Sequence, residues 1–399
     1  MARKKYIRIE RKTFNFVLFT LFLASLIFAA TIYEYKISKS PYSSNFAVNE
    51  ISPQELNNKL TNKNFTLINV HTPYEGEIEK TDLFIEYDSM KASENILPKD
   101  KNTELILYCE SGNMSKEAVL TLQSMGYTNV SHLEGGMKAW REKDFSILDL
   151  SSLPEQVLPE QGFELPLSWG HIGPQLVDVG AIDSAEFEKV VKMTDDEKKV
   201  LAQETEIPIK ITSQNGQFVV DILWAFGLAQ KSKIYDEGPL GKEQKANVGN
   251  FASTGGWTLA KGDVVNHLNK HDLIALSQEQ QDKVSEIAKN VYRPCCGNST
   301  FFPDCNHGMA ALAAIELMVA NGLPDEEIYK NILKLNSFWF PDHYLTLATY
   351  FARQGTSWDK IDAKLALGQD YSSGQAASKL YEKVGPLPYE GGFGGSCGA

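Results

Sequence analysis

YCESGNMSKEA, Tyr108 to Ala118, is the stretch that decides how this chain folds. It begins at the end of a short apolar run, ELILY (residues 104–108), of the kind found in buried parallel strands. Cys109 follows at once, then a polar loop containing Gly112. Residues 116–125 then read as a helix, stopped by Gly126. A strand that ends at a cysteine and turns tightly into a helix points loop amides and the positive end of the helix at the sulfur. That field stabilises a thiolate or a persulfide. Gly112 permits the tight turn, and Ser115 is placed to cap the helix. Cys109 is therefore the candidate reactive residue, and Glu110, Ser111, Gly112, Asn113, Met114 and Ser115 form its expected cradle.

Outward from this loop the pattern alternates. Ser52-Pro53-Gln54-Glu55 carries an N-cap residue, a proline at the first helical position and a glutamate three residues after the cap. FTLINV (65–70) reads as a strand, NVSHLEGG (129–136) as another strand closed by glycines, and MKAWREK (137–143) as a closing helix. Strands and helices in alternation predict an α/β domain, a parallel sheet flanked by helices. In such sheets ligands bind beyond the carboxyl ends of the strands, where Cys109 lies.

The whole chain has 399 residues, which predicts two or three domains. Its 43% hydrophobic and 23% charged residues are those of a folded globular protein. A net charge of -12 leaves no basic surplus to neutralise phosphates, so nucleic acid is not an expected partner. Five cysteines are too few for a disulfide framework, and an odd count leaves one unpaired in a monomer. At the N-terminus, Arg3, Lys4, Lys5, Arg8, Arg11 and Lys12 precede an apolar stretch over residues 14–33, about 20 residues and long enough to cross a bilayer. The expectation is a single-pass membrane anchor with a cytoplasmic tail (1–13) and extracytoplasmic C-terminal domains. A signal peptide cleaved near Ala29 and Ala30 is the rival reading. The expected order is spacer 34–48, α/β domain 49–146, linker 147–166, a mainly α-helical domain over 167–390, and a glycine-rich tail 391–399.

Two motifs bring a family into view. CESGNMS (109–115) resembles the active-site loop of rhodanese-like sulfurtransferases, usually Cys-x-x-Gly-x-x-Ser, and LEGGMKAW (133–140) resembles the segment that follows it there. The resemblance covers about residues 51–145. It implies that Cys109 takes a sulfane sulfur from a small donor as a persulfide and passes it to a thiol acceptor, with no cofactor for that transfer. Three departures stand out. The family's Asp-Val-Arg segment is replaced by Asn69-Val70-His71. Its Gly-His-Ile-x-Gly-Ala segment is not recognisable in YEGEIEKTDLFI (74–85). Loop positions that are often basic are Glu110 and Met114. An anionic donor such as thiosulfate would meet a carboxylate, so a less charged persulfide or polysulfide is the expected donor. With Met114 in place of a phosphate-binding arginine, tyrosine-phosphatase chemistry is strongly disfavoured.

The second half concentrates its unusual residues in RPCCGNSTFFPDCNHGMAALAAIELM (293–318). Cys295, Cys296, Cys305 and His307 lie close together, the last two at the start of a predicted helix. Three readings stand side by side: a disulfide between Cys305 and one of the adjacent pair, a zinc or copper site, and a sulfur or redox relay. Cys397, on the glycine-rich tail, is a candidate mobile thiol. His267 and His271, four apart, would share a face if helical. Helices are expected over 277–291, 308–321, 324–337 and 342–354, and Trp169, Trp224, Trp257 and Trp339 are read as core. The alternative function is a non-catalytic metal- or thiol-binding surface protein whose α/β domain docks a protein partner. A thiol-disulfide enzyme is disfavoured by the lack of a Cys-x-x-Cys pair.

Overall fold

The computed structural model describes residues 47–388. The N-terminal transmembrane helix of the expected fold is corrected. No helix among the described residues is long and apolar enough to cross a membrane, and residues 14–33 lie outside the described residues. What stands is a parallel α/β domain followed by a helical C-terminal region.

The α/β domain is built on strands β1 (Asn49–Ile51), β2 (Thr66–Asn69), β4 (Leu83–Phe84), β5 (Leu105–Tyr108) and β6 (Val130–Leu133), with β3 (Glu77–Ile78) outside the main sheet. Their order is β1-β6-β5-β2-β4, with every pairing parallel. β5 is central and wholly buried, which explains its unbroken apolar run. Helix α1 (Pro53–Thr61) begins as read, with the Ser52 hydroxyl accepting from the Glu55 amide at 3.3 Å. Helix α2 (Asn113–Ser124) buries Ser115, Ala118, Val119 and Leu122. That is the i, i+3, i+4, i+7 stripe of a helix lying on a sheet. Helix α3 (Gly136–Arg141) buries Met137 and Trp140 in a core with Leu56, Leu67, Ile106 and Leu133.

Residues 147–166 hold short elements: β7 (Ile147–Leu148) pairs antiparallel with β3, and helix α4 (Leu153–Val157) buries both its ends. β8 (Phe163–Gly170) pairs antiparallel with β9 (Thr205–Ile211). The longer helices that follow are α5 (Gly216–Ala229), α6 (Gln278–Lys289), α7 (Asn306–Ala320), α8 (Asp325–Trp339), α9 (Pro341–Arg353) and α10 (Gly374–Val384). Each expected helix is present within a few residues, and α6 carries the reciprocal Ser277–Gln280 capping box. α5 and α7 are buried almost all round, as central helices of a larger core are. Trp169, Trp224, Trp257 and Trp339 are in that core.

The two regions are joined by a buried ion pair. Arg353, at the end of α9, donates through Nε to Glu77 Oε1 at 2.8 Å and through Nη2 to Glu77 Oε2 at 3.2 Å. Its Nη1 donates to the carbonyls of Asp82 and Val384 at 2.9 and 3.0 Å. Glu77 is 0% and Arg353 3% exposed. Glu77 and Asp82 both belong to YEGEIEKTDLFI, the stretch that departs most from the family pattern. The departure therefore coincides with the place where the helical region docks.

Candidate functional site

β5 delivers Cys109 to the carboxyl edge of the sheet, where it is 1% exposed. Its Sγ accepts the amide N–H of Gly112 at 3.1 Å and that of Ser115 at 3.4 Å, and lies 3.5 Å from Ser115 Oγ. Gly112 is the N-cap of α2, with φ +95°, a left-handed conformation that favours glycine. Ser115 does not cap the helix. It sits in the first turn, its Oγ donating to the Gly112 carbonyl at 3.1 Å. The reason is that the positive-φ glycine starts the helix two residues before Ser115, which leaves that hydroxyl to face the sulfur.

The glycine pair of LEGGMKAW holds the loop from behind. Met137 N–H donates to the Cys109 carbonyl at 2.8 Å and Lys138 N–H to the Glu110 carbonyl at 2.9 Å. A side chain at Gly136 (φ +61°) would overlap both carbonyls. The two sequence motifs are thus halves of one turn. Ser111 and Asn113 are exposed, and Met114 is half-buried above the sulfur's loop.

Two residues join this site that the sequence did not single out. His132, on neighbouring β6 and 3% exposed, brings Nδ1 to 3.3 Å from Ser115 Oγ and Nε2 to 3.3 Å from Glu50. Burial lowers its pKa below the usual histidine value, against the opposing pull of Glu50. Arg141 holds both Glu110 oxygens at 2.8 Å, so the carboxylate in the loop has its own cation. A histidine inside a strand and an arginine 31 residues downstream carry no local signal of their role. His71 is turned to Glu75, Nε2 to carboxylate oxygen at 3.0 Å.

A second cluster forms where the loop after α6 meets the start of α7. The Sγ atoms of Cys295, Cys296 and Cys305 lie within 4.8 Å of one another, and those of Cys295 and Cys305 are 3.6 Å apart. All three thiols are free. Cys305 is the N-cap of α7 and accepts the Gly308 amide at 3.3 Å. Arg293, fully buried, donates through Nε to Cys305 Sγ at 3.0 Å and through Nη2 to Asp304 Oδ1 at 2.7 Å. A β-carbon at Gly308 would lie 2.5 Å from the guanidinium carbon, so the helix N-terminus needs glycine to seat this arginine. Hydrogen bonds from Cys295 and Cys296, with Arg293 beside them, hold the Cys305 thiol well below the usual range, while Cys295 is pushed up.

His307, expected beside these cysteines, is turned away. Its Nδ1 lies 2.9 Å from Asn306 Oδ1 and its ring packs 4.6 Å from that of Phe340. Being two residues beyond the N-cap, it projects into the helical core. The segment of His267 and His271 is a single 3-10 turn (Val264–Asn266) followed by a further turn and not a continuous helix, yet the rings meet, Nδ1 to Nε2 at 3.3 Å. Cys397 lies outside the described residues. The donor set of the three-cysteine cluster fits a soft metal ion.

Comparison with known proteins addresses the first site. Residues 52–143 match the model of the rhodanese-like domain. A sulfurtransferase of Allochromatium vinosum is 32% identical over 106 residues, 25% of this chain and 95% of that protein. The probable adenylyltransferase/sulfurtransferase MoeZ of Mycobacterium tuberculosis is 32% identical over 98 residues, and the chain spans 24% of its length. Among solved structures, a rhodanese-like domain protein from Staphylococcus aureus matches at 27% identity and a TM-score of 0.23, over 26% of this chain and all of that one.

Proposed function

We propose, for a chain that belongs to the rhodanese-like family through residues 52–143, that Cys109 is a sulfur carrier working through a persulfide. The observation that carries the reading is the set of donors on Cys109 Sγ, the Gly112 and Ser115 amides at 3.1 and 3.4 Å. These dipoles stabilise negative charge on sulfur, and they are fixed by backbone, so they need no reorganisation during transfer.

In the forward step the Cys109 thiolate attacks the outer, sulfane sulfur of a persulfide donor, R–S–S⁻. The donor S–S bond breaks, R–S⁻ leaves, and a Cys109–S–S⁻ persulfide forms. An acceptor thiolate then attacks the outer sulfur, leaves as a new persulfide, and restores the Cys109 thiolate. No net oxidation occurs and no cofactor is consumed. Ser115 Oγ, oriented by Gly112 and His132, is a positioning group for the carrier sulfur. With Glu110 paired to Arg141 and Met114 uncharged, the loop offers an anionic donor neither a free guanidinium nor a free carboxylate, which favours a polysulfide or persulfide over thiosulfate.

The test is intact-protein mass spectrometry after brief exposure to polysulfide. One added sulfur is expected in the wild type and none on the α/β domain of Cys109→Ser. A wild-type protein that gains no sulfur at Cys109 sinks this reading and moves the choice to a non-catalytic binding role for the domain.

A further inference from the structure

We propose that Cys295, Cys296 and Cys305 together bind one monovalent copper ion in a three-sulfur site. The convergence of all three thiols carries this. A disulfide would join two of them and leave the third without a role, whereas a metal uses every sulfur. Metal–thiolate bonds of about 2.3 Å around a trigonal centre put the sulfurs about 4 Å apart. Here the three Sγ atoms lie within 4.8 Å, with 3.6 Å between Cys295 and Cys305, so the donors are already spaced for the ion.

The choice of ion follows from the donor set. Thiolates select soft ions, copper(I) and zinc foremost. A structural zinc takes four protein ligands. Among the described residues the converging group is the three cysteines alone, since the His307 imidazole is packed against Phe340. Three thiolates saturate copper(I), which has no need of a fourth ligand.

The surroundings answer the charge problem. A monovalent ion with three thiolates carries two negative charges; the buried Arg293 guanidinium, 3.0 Å from Cys305 Sγ, offsets part of this while also pairing with Asp304, whose Oδ1 lies 3.7 Å from Cys296 Sγ. The same guanidinium ties down the loop through the Asn298 carbonyl at 3.1 Å, the Phe302 carbonyl at 3.3 Å and Asp304. Asn298 closes the ring by donating to Asp304 Oδ2 at 2.7 Å. The loop is therefore shaped by Arg293 before any ion arrives, and Cys295, the exposed member, gives the ion its way in.

The experiment uses the reduced full chain under anaerobic conditions, titrated with copper(I) against bicinchoninate, with zinc titrated in parallel. One copper(I) per chain is expected, with the ultraviolet charge-transfer band of copper–thiolate bonding. Because Cys305 is half-buried against Arg293, the decisive variants are Cys295→Ser and Cys296→Ser, with folding checked by circular dichroism. Each should weaken binding by at least about tenfold, while Cys109→Ser and Cys397→Ser bind as the wild type does. Binding that is unchanged in Cys295→Ser overturns the site. One zinc held in preference to copper(I) overturns the choice of ion. A Cys295–Cys305 disulfide that persists through reduction overturns the metal reading altogether.

Discussion

Cys109 and Cys305 are built on the same local device and differ in what tertiary structure adds. Cys109 lies in the turn that leads into a helix and Cys305 caps one, and each sulfur accepts the amide of a glycine three residues on, Gly112 at 3.1 Å and Gly308 at 3.3 Å. Around Cys109 the next groups are Ser115 and His132, whose pKa burial lowers. Around Cys305 they are a guanidinium and two further thiols. One turn holds a single sulfur with dipoles; the other gathers three sulfurs around a charge. A helix start tunes a thiol modestly, and what separates the two sites is the set of side chains that the tertiary structure brings to each sulfur.

The sharpest way to break this comparison is to remove the sulfurs one at a time. Cys109→Ser should abolish turnover of a persulfide donor, whereas Cys305→Ser should leave turnover per folded molecule near wild type; a discontinuous thiol-release assay reads both. Equal losses in the two variants would mean that the sites work as one.

Next in size is the clasp between the regions. Arg353→Met leaves the fully buried Glu77 carboxylate without its partner and should cost about 3–5 kcal/mol, read from urea unfolding. The double variant Arg353→Met with Glu77→Leu should recover much of the loss, because it removes the orphaned charge as well. A single-variant loss below about 1 kcal/mol would show that the clasp is not a buried pair in solution.

The helix that starts at Cys305 offers a pH test. Glu316, 0% exposed, has its pKa pushed up to about 8 by burial, against the opposing hydrogen bond from Ser232. In the unfolded chain it titrates near 4.5. Between these values the folded state holds the proton that the unfolded state has released, so this group's contribution favours folding at low pH and fades as pH rises to about 8. Glu316→Gln should flatten that slope, being more stable than wild type by a few kcal/mol at pH 8 and little different near pH 4.5. Parallel stability curves for the two proteins over this range would contradict the assignment.

The smallest expected effect concerns the donor. Glu110→Gln frees Arg141 beside the Cys109 loop, so thiosulfate turnover should rise by up to about fivefold, as expected for an exposed ion pair worth up to about 1 kcal/mol, with polysulfide turnover little changed. A fall in thiosulfate turnover would place the Glu110–Arg141 pair in a structural role only.

Much of the first site was legible because its signals are local. The Cys109 turn needs a strand end, a glycine at positive φ and a helix start, and all lie within CESGNMS; the glycines that brace it lie in LEGG. The capping box at Ser277–Gln280 and the buried tryptophans were equally readable, since caps and apolar bulk act over a few residues. Ser115 was misplaced as a cap because a positive-φ glycine can start a helix without a side-chain acceptor, a choice that local propensity does not reveal. His307 was misassigned for a similar reason: nearness in sequence to three cysteines does not say which side of a helix turns inward.

The amino-acid sequence by itself determined the parallel α/β domain, the cysteine in its turn, and the order of the long helices, because hydrophobic period, glycine and capping residues act between near neighbours. Only the tertiary structure decided that His132 orients Ser115, that Arg141 neutralises Glu110, that Arg353 locks onto Glu77 from 276 positions away, and that Arg293 gathers three thiols. Those are pairings of charge and hydrogen bond across the fold. Their energies depend on distance and burial, quantities that exist only once the chain has closed on itself.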